Sequence, residues 1–478
     1  MTRPQRPSLK TGSKLLDRYL LLVCTAIALG SISIPSRAPG SVLLDPDPES
    51  STTHFGYSIA VIGDIDGDGH PDLAVAAPYQ DGDFDNSTGG FGPPQNVGKV
   101  WLINGSNLTV IRTLDDPQFQ MEQSLKFGGQ FGNSIAAVGD LNHDGITDVL
   151  VGVPHHIDEE ANENEVNSGE AFVFSGKDGS ILFTLEAPEP AEGARFGYVV
   201  AGIADVNGDG TPDLLVGEPK RDVDEDVQDT GAAYLFSGAD GTLLRTLLPP
   251  SQNGKGANGR FGEALADAGD LNQDGVDDIL VGAPGNGRVY IVSGATGAVL
   301  QTVSSPVRET LPSFGYALSG GKDIDGDGTL DFVVGAPLQN KLTGAAYVFN
   351  GDGTLQRTLK ASPETFAKFG SSVRIVDDLT RDGRPEIIVG APDHTVNDIP
   401  NAGEAFIFRG NNGKLLRLLT SDTPKAYAGY GYVSLTADLT GNGQVSTITG
   451  TPFEDADLPE AKSKDIETHL QIGQIEVQ

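Results

Sequence analysis

The chain has 478 residues, including 63 glycines and 29 prolines, with an aromatic content of only 7% and a single tryptophan. This composition is typical of a protein rich in turns. The 66 acidic and 32 basic residues give a formal net charge of −34. Because no basic patch in the sequence offsets this charge, the phosphate backbone of a nucleic acid would be repelled, and nucleic acid is excluded as a partner.

The first 38 residues have the pattern of a secretory signal peptide. A mostly apolar stretch from Tyr19 to Ile34 follows five basic residues, which are Arg3, Arg6, Lys10, Lys14 and Arg18. The stretch is shorter than the roughly 20 residues that span a bilayer, although an uncleaved anchor is the alternative. The only cysteine, Cys24, lies within it, so the exported chain would have no disulfide. We expect a secreted or cell-surface protein with no membrane span after leader cleavage.

An aspartate-rich nonapeptide recurs seven times, with a mean spacing of about 62 residues. The copies begin at Asp64, Asp140, Asp205, Asp270, Asp323, Asp378 and Asp438. A Phe-Gly pair stands nine residues before six of them, beginning at Phe55, Phe131, Phe196, Phe261, Phe314 and Phe369. The last copy instead follows Tyr430-Gly431 by eight residues. A proline stands 14 residues after each first aspartate, at Pro78, Pro154, Pro219, Pro284, Pro337, Pro392 and Pro452.

Each repeat predicts four short strands. The third repeat shows them, with an apolar run at 214–217, a run with alternating aromatic residues at 233–236 and a more polar run at 243–247. Polarity that rises from the second strand to the fourth is expected when the inner strands surround an axis and the last lies at the rim. Four-stranded units of fixed period, with no helical segment between them, indicate a β-propeller.

The chain ends suggest how such a ring would close. The seventh repeat stops after a third strand at 473–477, while an apolar segment at 41–44 precedes the first Phe-Gly pair. We expect this segment to complete blade seven and to remove an open sheet edge. The least periodic part of that blade is 454–465.

Five of the nonapeptides carry four oxygen side chains, at positions one, three, five and nine, around a glycine at position six. These sets are Asp64, Asp66, Asp68, Asp72; Asp140, Asn142, Asp144, Asp148; Asp205, Asn207, Asp209, Asp213; Asp270, Asn272, Asp274, Asp278; and Asp323, Asp325, Asp327, Asp331. Ca²⁺ takes six to eight oxygen ligands, and a tight loop can direct alternate carboxylates at one point. Five calcium sites are therefore expected, with position nine as the closing ligand.

The other two loops are weaker. The sixth has Asp378, Asp382 and Glu386 with Thr380, which makes a sixth site possible, and the seventh has only Asp438 and Asn442 as good ligands. An EF-hand would need a glutamate at position 12, where the first six loops have valines such as Val75 in the predicted second strand. The remaining alternative is that Asp, Asn and Gly simply form good hairpin turns, but a turn does not require an acid at position nine.

With these loops, the predicted fold class is all-β, a seven-bladed β-propeller of four-stranded blades with calcium-binding hairpin loops, over residues 41–478. The Phe-Gly frame and the Gly-Ala-Pro sequences at 282–284, 335–337 and 390–392 resemble the FG-GAP repeat of integrin α-subunit amino-terminal propellers. The resemblance implies calcium at the hairpins on one face and partner binding on the opposite face. Stalk domains, a carboxyl-terminal membrane span and a tail are not recognised, so an integrin β subunit is not expected as a partner.

Two functional classes stay open at this point. We expect an exported calcium-binding propeller that acts as an adhesion or protein-interaction module for an unknown protein or cell-surface ligand. The alternative is a secreted propeller-type enzyme, a hydrolase or lyase acting on a polysaccharide or phosphoester. The seven histidines form no readable catalytic arrangement, so no catalytic residue and no other cofactor is predicted.

Acidic insertions follow the second strand in three repeats, around 81–85, 155–160 and 222–229. Strand alternation places all three on the face opposite the calcium hairpins, and loops on a rigid scaffold often carry binding. They would form a contact surface for a basic or cation-bridged partner, or would simply add solubilising charge. His155 and His156 are interpreted as part of a solvated acidic loop rather than as a metal site.

Overall fold

The computed structural model describes residues 41–47, 53–81, 96–117, 128–155, 157–158, 166–222, 228–250, 258–308, 311–361, 366–453 and 474–477. Contacts divide the chain into two units, Met1–Arg37 and Ala38–Gln478. The first unit, which contains most of the predicted signal peptide, lies outside the described residues. In the described part of the second unit, the regular secondary structure consists almost entirely of short antiparallel strands.

The first strand of this unit, β1, is Ser41–Leu44. Blade one then consists of β2 Ser58–Gly63, β3 Asp72–Ala77, β4 Lys99–Ile103 and β5 Val110–Asp115. Blade two consists of β6 Ser134–Ala137, β7 Val149–Val153, β10 Glu170–Phe174 and β11 Ile181–Leu185, with the small hairpin β8 Ile157–Asp158 and β9 Val166–Asn167 between its second and third strands. Blade three consists of β12 Val199–Ile203, β13 Asp213–Glu218, β14 Ala232–Phe236 and β15 Leu243–Leu247.

The next three blades repeat this order. Blade four consists of β16 Ala264–Gly269, β17 Asp278–Ala283, β18 Arg288–Val292 and β19 Val299–Ser304, with a 3-10 turn at Pro284–Asn286. Blade five consists of β20 Ala317–Lys322, β21 Asp331–Ala336, β22 Ala345–Asn350 and β23 Leu355–Leu359, with a turn labelled α1 at Gln339–Leu342 that contains left-handed residues. Blade six consists of β24 Ser372–Val376, β25 Glu386–Ala391, β26 Glu404–Arg409 and β27 Leu415–Leu419.

The last four-stranded sheet is composite. It contains β28 Val433–Ala437, β29 Ser446–Thr451 and β30 Gln474–Val477, and its outer strand is β1 from the other end of the described chain. The pairing of β1 with β30 is antiparallel, with Ser41 opposite Val477 and Leu44 opposite Gln474. The strand β28 contacts the first strand of blade six and that of blade one.

The predicted count of seven blades is corrected by this topology. Six blades, not seven, are formed by four consecutive strands of one repeat, and they span Ser58 to Leu419. Among the described residues, the seventh repeat supplies three strands of its sheet, β28, β29 and β30, and β1 supplies the fourth. The architecture is thus six continuous blades and one composite sheet.

Burial follows the polarity gradient of the sequence. In blade three every residue of β13 and β14 is buried, whereas only the last residue of β15 is. Every residue of the second strand is also buried in the other five continuous blades. Val75, at position 12 of the first loop, is fully buried in β3, so it cannot be a ligand.

The Phe-Gly pairs connect neighbouring blades and anchor their own blade. Each phenylalanine packs on an aromatic residue of the third strand, as Phe196 does on Tyr234 with ring centroids 5.4 Å apart. The backbone of Phe131, Phe261 and Phe369 also forms a parallel bridge to a glycine of the preceding blade, as between Gly231 and Phe261. A Cβ added at Gly231 would lie 2.1 Å from the Phe261 carbonyl oxygen. This position therefore requires glycine, both for space and because its φ is +82°.

Candidate metal centres

The seven acidic nonapeptides lie in the hairpins that connect the first strand of each sheet to the second. They lie on the same face, because every first strand runs from its Phe-Gly pair toward the loop. We call this the loop face and the other the Phe-Gly face. The described part of the chain thus places all seven predicted loops at equivalent positions.

The aspartate at position one organises every loop. One of its carboxylate oxygens accepts a hydrogen bond from the backbone N–H of the position-six glycine, at 2.6–2.9 Å. Position three accepts from the N–H of position five in the first five loops, and position five accepts from the N–H of position seven in all seven. These bonds turn the side chains inward, toward the middle of a tight loop.

Position nine has a second function that sequence reasoning missed. In loop one, Asp72 is fully buried at the start of β3; one of its oxygens accepts from the N–H of Ile65 at 2.8 Å and the other from the N–H of Gly105 at 2.9 Å. Two other aspartates make the same pair of bonds. Asp148 accepts from the N–H groups of Leu141 and Gly176. Asp213 accepts from those of Val206 and Gly238. The position-nine carboxylate therefore links the acidic loop to the hairpin between the third and fourth strands.

That second hairpin also supplies polar side chains to the loop. The Asn104 amide donates to Asp66 at 2.7 Å and to Asp68 at 2.8 Å, and the Ser106 hydroxyl donates to Asp68 at 2.9 Å. In loop three, Ser237 donates to Asp209 at 3.1 Å. The sequence contains the signal, since a serine or asparagine precedes a glycine after the third strand in the first five repeats.

Three groups of acids converge closely enough to hold one ion. They are Asp64, Asp66, Asp72; Asp323, Asp325, Asp331; and Asp378, Asp382, Glu386, and within each group one ligand atom per residue lies within 4.8 Å of the others. Loops one, five and six thus bring their predicted acids together. In loops two, three and four, which have asparagine at position three, no such group of three acids forms among the described residues.

The electrostatics of these loops suit a cation. Burial raises the pKa of the position-nine acids Asp72, Asp148, Asp213 and Asp278, and neighbouring carboxylates of the same loop raise it further. The pKa of Asp331 is raised to about 6 in this way. A raised carboxyl pKa means that negative charge is poorly compensated, and a bound cation would compensate it. Hard oxygen donors with this charge fit Ca²⁺.

Loops six and seven differ as their sequences suggest. In loop six, Glu386 replaces the aspartate and accepts from the Leu379 N–H at 2.6 Å and from the Thr380 hydroxyl at 2.9 Å. In loop seven, Asp438 accepts from Gly443 and Asn442 from Gln444, and no acid stands at position nine. Loop seven is therefore a turn with few good ligands.

Three acidic insertions were predicted on the Phe-Gly face, and only parts of them belong to the described residues. His156 and the acidic residues at 82–85 and 223–227 lie outside them, as does 454–465. The described His155 is half-buried, and burial together with Arg195 and Lys220 lowers its pKa to about 4. This imidazole is therefore neutral at neutral pH.

Comparison with known proteins adds the family. The FG-GAP repeat family matches five segments, residues 55–103, 131–174, 196–236, 261–299 and 314–349. The chain contains five FG-GAP repeats. Each matched segment includes a Phe-Gly pair, an acidic loop and the second and third strands of a blade.

This chain is 36% identical over 239 residues to integrin alpha-V of Gallus gallus, and the aligned region covers 46% of this chain and 22% of the relative. It is 34% identical over 220 residues to integrin alpha-5 of Xenopus laevis, covering 43% and 20%. It is 38% identical over 184 residues to integrin alpha-PS3 of Drosophila melanogaster, covering 36% and 16%. The chain spans about a fifth of the length of these relatives.

These findings show an integrin α-like propeller fold. Among the helices that the structure describes, none is both long and apolar enough to cross a membrane.

Proposed function

We propose that this protein is an exported, calcium-binding propeller that acts as an adhesion or protein-interaction module. The observation that carries the proposal is the convergence of three acids in each of loops one, five and six, within a fold shared with integrin α subunits. Export is proposed from the basic and apolar pattern of residues 1–38. Residues 41–478 would form the working domain.

Calcium would have a structural function here. Its expected ligands are the oxygen side chains at positions one, three, five and nine of loops one to five, and a sixth ion would bind Asp378, Asp382 and Glu386. Extracellular calcium sites often have Kd values near 10⁻⁴ to 10⁻³ M, so about 1 mM Ca²⁺ would contribute roughly 0.4 to 1.4 kcal/mol per site. The blades would then be rigid supports for loops on the Phe-Gly face.

The first test counts ions. Equilibrium dialysis with elemental analysis should give five or six Ca²⁺ per chain, and chelation should lower the melting temperature. Asp209→Ala should remove one ion, because it deletes one of four ligands in loop three, whereas the matched variant Asn442→Ala in loop seven should leave the number unchanged. One ion or none per chain would contradict the calcium assignment.

The second test addresses the interaction. The exported protein, carrying an affinity tag, is incubated with native cell-surface extract or medium in Ca²⁺ and in chelator. Capture of a defined protein that depends on Ca²⁺ supports an interaction module. Turnover of a polysaccharide or phosphoester by the purified protein would instead support the enzyme alternative.

A further inference from the structure

The composite sheet differs from the six continuous blades at one pair of facing residues. In every sheet, a residue of the first strand lies directly opposite the residue at position 12, counted from the first aspartate of the loop. Both residues are apolar in the six continuous blades, as Ile59/Val75, Ile135/Val151, Val200/Val216, Leu265/Val281, Leu318/Val334 and Val373/Val389. In the composite sheet the same pair is Ser434 and Thr449. We call these two residues the hydroxyl pair.

The hydroxyl pair is buried and lacks hydrogen-bond partners. Ser434 is 3% exposed and Thr449 is 0% exposed. Among the described residues, neither hydroxyl oxygen has a hydrogen-bond partner. Directly opposite residues of an antiparallel pair have Cβ atoms about 4.5–5.5 Å apart, so the two hydroxyls border one space. Because an unpaired buried hydroxyl costs free energy, this space should hold a group that bonds to both.

The other blades show what this pair faces. Ile135 and Val151 of blade two belong to the same hydrophobic cluster as Ala60, the third residue of the first strand of blade one. The same grouping recurs in the next three blades, where Val200/Val216 pack with Ala136, Leu265/Val281 with Ala201 and Leu318/Val334 with Ala266. Each pair therefore faces the third residue of the preceding first strand. For the hydroxyl pair that residue is Arg374, in β24 of blade six.

Arg374 differs from every residue at the equivalent position of the other continuous blades. Those blades have alanine or serine there, at Ala60, Ala136, Ala201, Ala266 and Ser319. Blade six contacts the composite sheet beside Arg374, since the Ser372 hydroxyl donates to the Gly431 carbonyl oxygen at 3.0 Å. Among the described residues, the Arg374 guanidinium forms no ion pair and no hydrogen bond. The Arg374 side chain is exposed, and the first strands contact one another in a closed ring, so solvent ions reach it along the axis.

Bound water is the simpler explanation, and it accounts for part of this arrangement. A buried water would satisfy the hydroxyl pair, and an exposed guanidinium is solvated without a ligand. Water does not explain why both changes fall on the same contact. The arginine stands on the one first strand that precedes the hydroxyl pair, so a positive charge and two hydroxyl donors are directed at one place.

We propose that Arg374, Ser434 and Thr449 bind a chloride ion between blade six and the composite sheet. The guanidinium supplies the positive charge, and the two hydroxyls donate hydrogen bonds to the ion. One guanidinium balances one negative charge, whereas a doubly charged phosphate or sulfate would remain partly uncompensated in this buried place. The ion would hold the composite sheet to blade six where the apolar pair of the other blades is missing. This inference goes beyond the proposed interaction function and does not depend on it.

The test measures chloride binding to the mature chain in Ca²⁺ by the broadening of the chloride NMR signal, with isethionate replacing chloride to keep the ionic strength constant. The variants Arg374→Ala and Ser434→Ala/Thr449→Val should each lose at least about half of the broadening, since each removes donors of the site. Both variants restore residue types that other blades have at these positions or remove only a hydroxyl, so they should fold. The matched controls are Arg417→Ala and Thr358→Val, which remove the same groups from exposed positions on outer strands.

Melting temperature gives a second readout. Chloride should raise the melting temperature of the wild type and of the controls by roughly 1–2 °C relative to isethionate, because it binds only the folded chain. The two site variants should show no such rise. If the hydroxyls held only water, all five proteins would respond to chloride alike, and the inference would be overturned.

Two further results would also overturn the inference. One is a wild-type chain that does not broaden the chloride signal beyond the Arg374→Ala variant. The other is efficient displacement of chloride by sulfate at equal ionic strength, which would assign the site to an oxyanion. Loss of the chloride response in both site variants, with the controls unchanged and sulfate ineffective, supports the assignment.

Discussion

At the scale of single residues, the position-nine acids combine two functions. Asp213 is completely buried and accepts the N–H groups of Val206 and Gly238. Asp209, at position five of the same loop, is exposed and accepts from the N–H of Thr211 and from the side chains of Asn207 and Ser237. The two aspartates therefore differ in how much they stabilise the metal-free protein.

Replacing Asp213 with Ala should destabilise the protein even in EDTA, because two backbone donors lose their acceptor at a cost of about 1–3 kcal/mol for each buried group. Asp209→Ala should match the wild type in EDTA and lose stability only in Ca²⁺. Urea unfolding in both conditions measures the difference. Equal losses for the two variants in EDTA would show that Asp213 acts only as a metal ligand.

A second residue-scale feature is the buried carboxyl of Glu218, which stands where the other repeats have alanine, valine or threonine. The Tyr234 hydroxyl donates to it at 2.5 Å, and Arg221 donates to that hydroxyl at 2.8 Å. Burial is the main cause that raises the Glu218 pKa from 4.5 to about 7. Between pH 4.5 and about pH 7, the Glu218 carboxyl therefore keeps its proton in the folded protein and loses it in the unfolded chain.

The buried Glu218 carboxyl therefore lowers the free energy of unfolding by an amount that depends on pH. The destabilisation by Glu218 is absent below about pH 4.5, grows as pH rises and is complete above about pH 7, with a size on the order of 3 kcal/mol. Glu218→Gln, which keeps an acceptor for Tyr234, should therefore gain stability relative to the wild type between pH 5 and pH 8. Denaturant unfolding at both pH values, with exposed Glu192→Gln as the control, measures this. A difference from wild type that does not change with pH would refute it.

The sequence identified the loop ligands because their spacing is local. It did not identify Asn104 and Ser106 as partners of Asp66 and Asp68, because they lie more than 30 residues away and join the loop only through strand pairing. The Glu218 network was also missed, since a charged residue in an apolar strand gives no sign of its partners. Contacts between elements were therefore the part that sequence spacing alone could not supply.

At the scale of elements, strands were predictable because their composition matches their burial, and the connections between blades were not. Gly231 and Gly208 make a matched pair. Both have left-handed backbone, with φ of +82° and +81°, but a Cβ on Gly231 would lie 2.1 Å from the Phe261 carbonyl oxygen, while one on Gly208 would meet nothing within 4 Å. Backbone strain is thus the same at both, and the clash is confined to the blade contact.

Gly208→Ala should therefore cost about 1–2 kcal/mol, from the left-handed conformation alone. Gly231→Ala should cost clearly more, because blades three and four must separate to admit the methyl group. Thermal unfolding of the two variants in the same buffer checks the order. Similar losses would mean that the blades move apart easily and that the Phe-Gly bridge adds little stability.

At the scale of the whole molecule, periodicity gave the type of architecture, and the six continuous blades follow from it. The predicted count of seven blades is corrected to six continuous ones, because the last repeat supplies the strands β28, β29 and β30 and β1 supplies the fourth strand of that sheet. The expectation that segment 41–44 completes this sheet came from counting strands, because hydrophobic periodicity indicates a strand but not its partner.

The proposal that 41–478 is one domain closed by its amino-terminal strand can be tested by truncation. Removing residues 41–46 together with the leader deletes β1 and leaves β30 with an unpaired edge, which should increase aggregation and expose the chain after Thr451 to protease. A chain that begins at Pro39 is the control, because it lacks only the proposed leader. The two are compared by melting temperature, light scattering and limited proteolysis. If the shorter chain melts and resists protease as well as the control, β1 does not hold the composite sheet together, and the ring must be closed by the contacts of β28 with blades one and six alone.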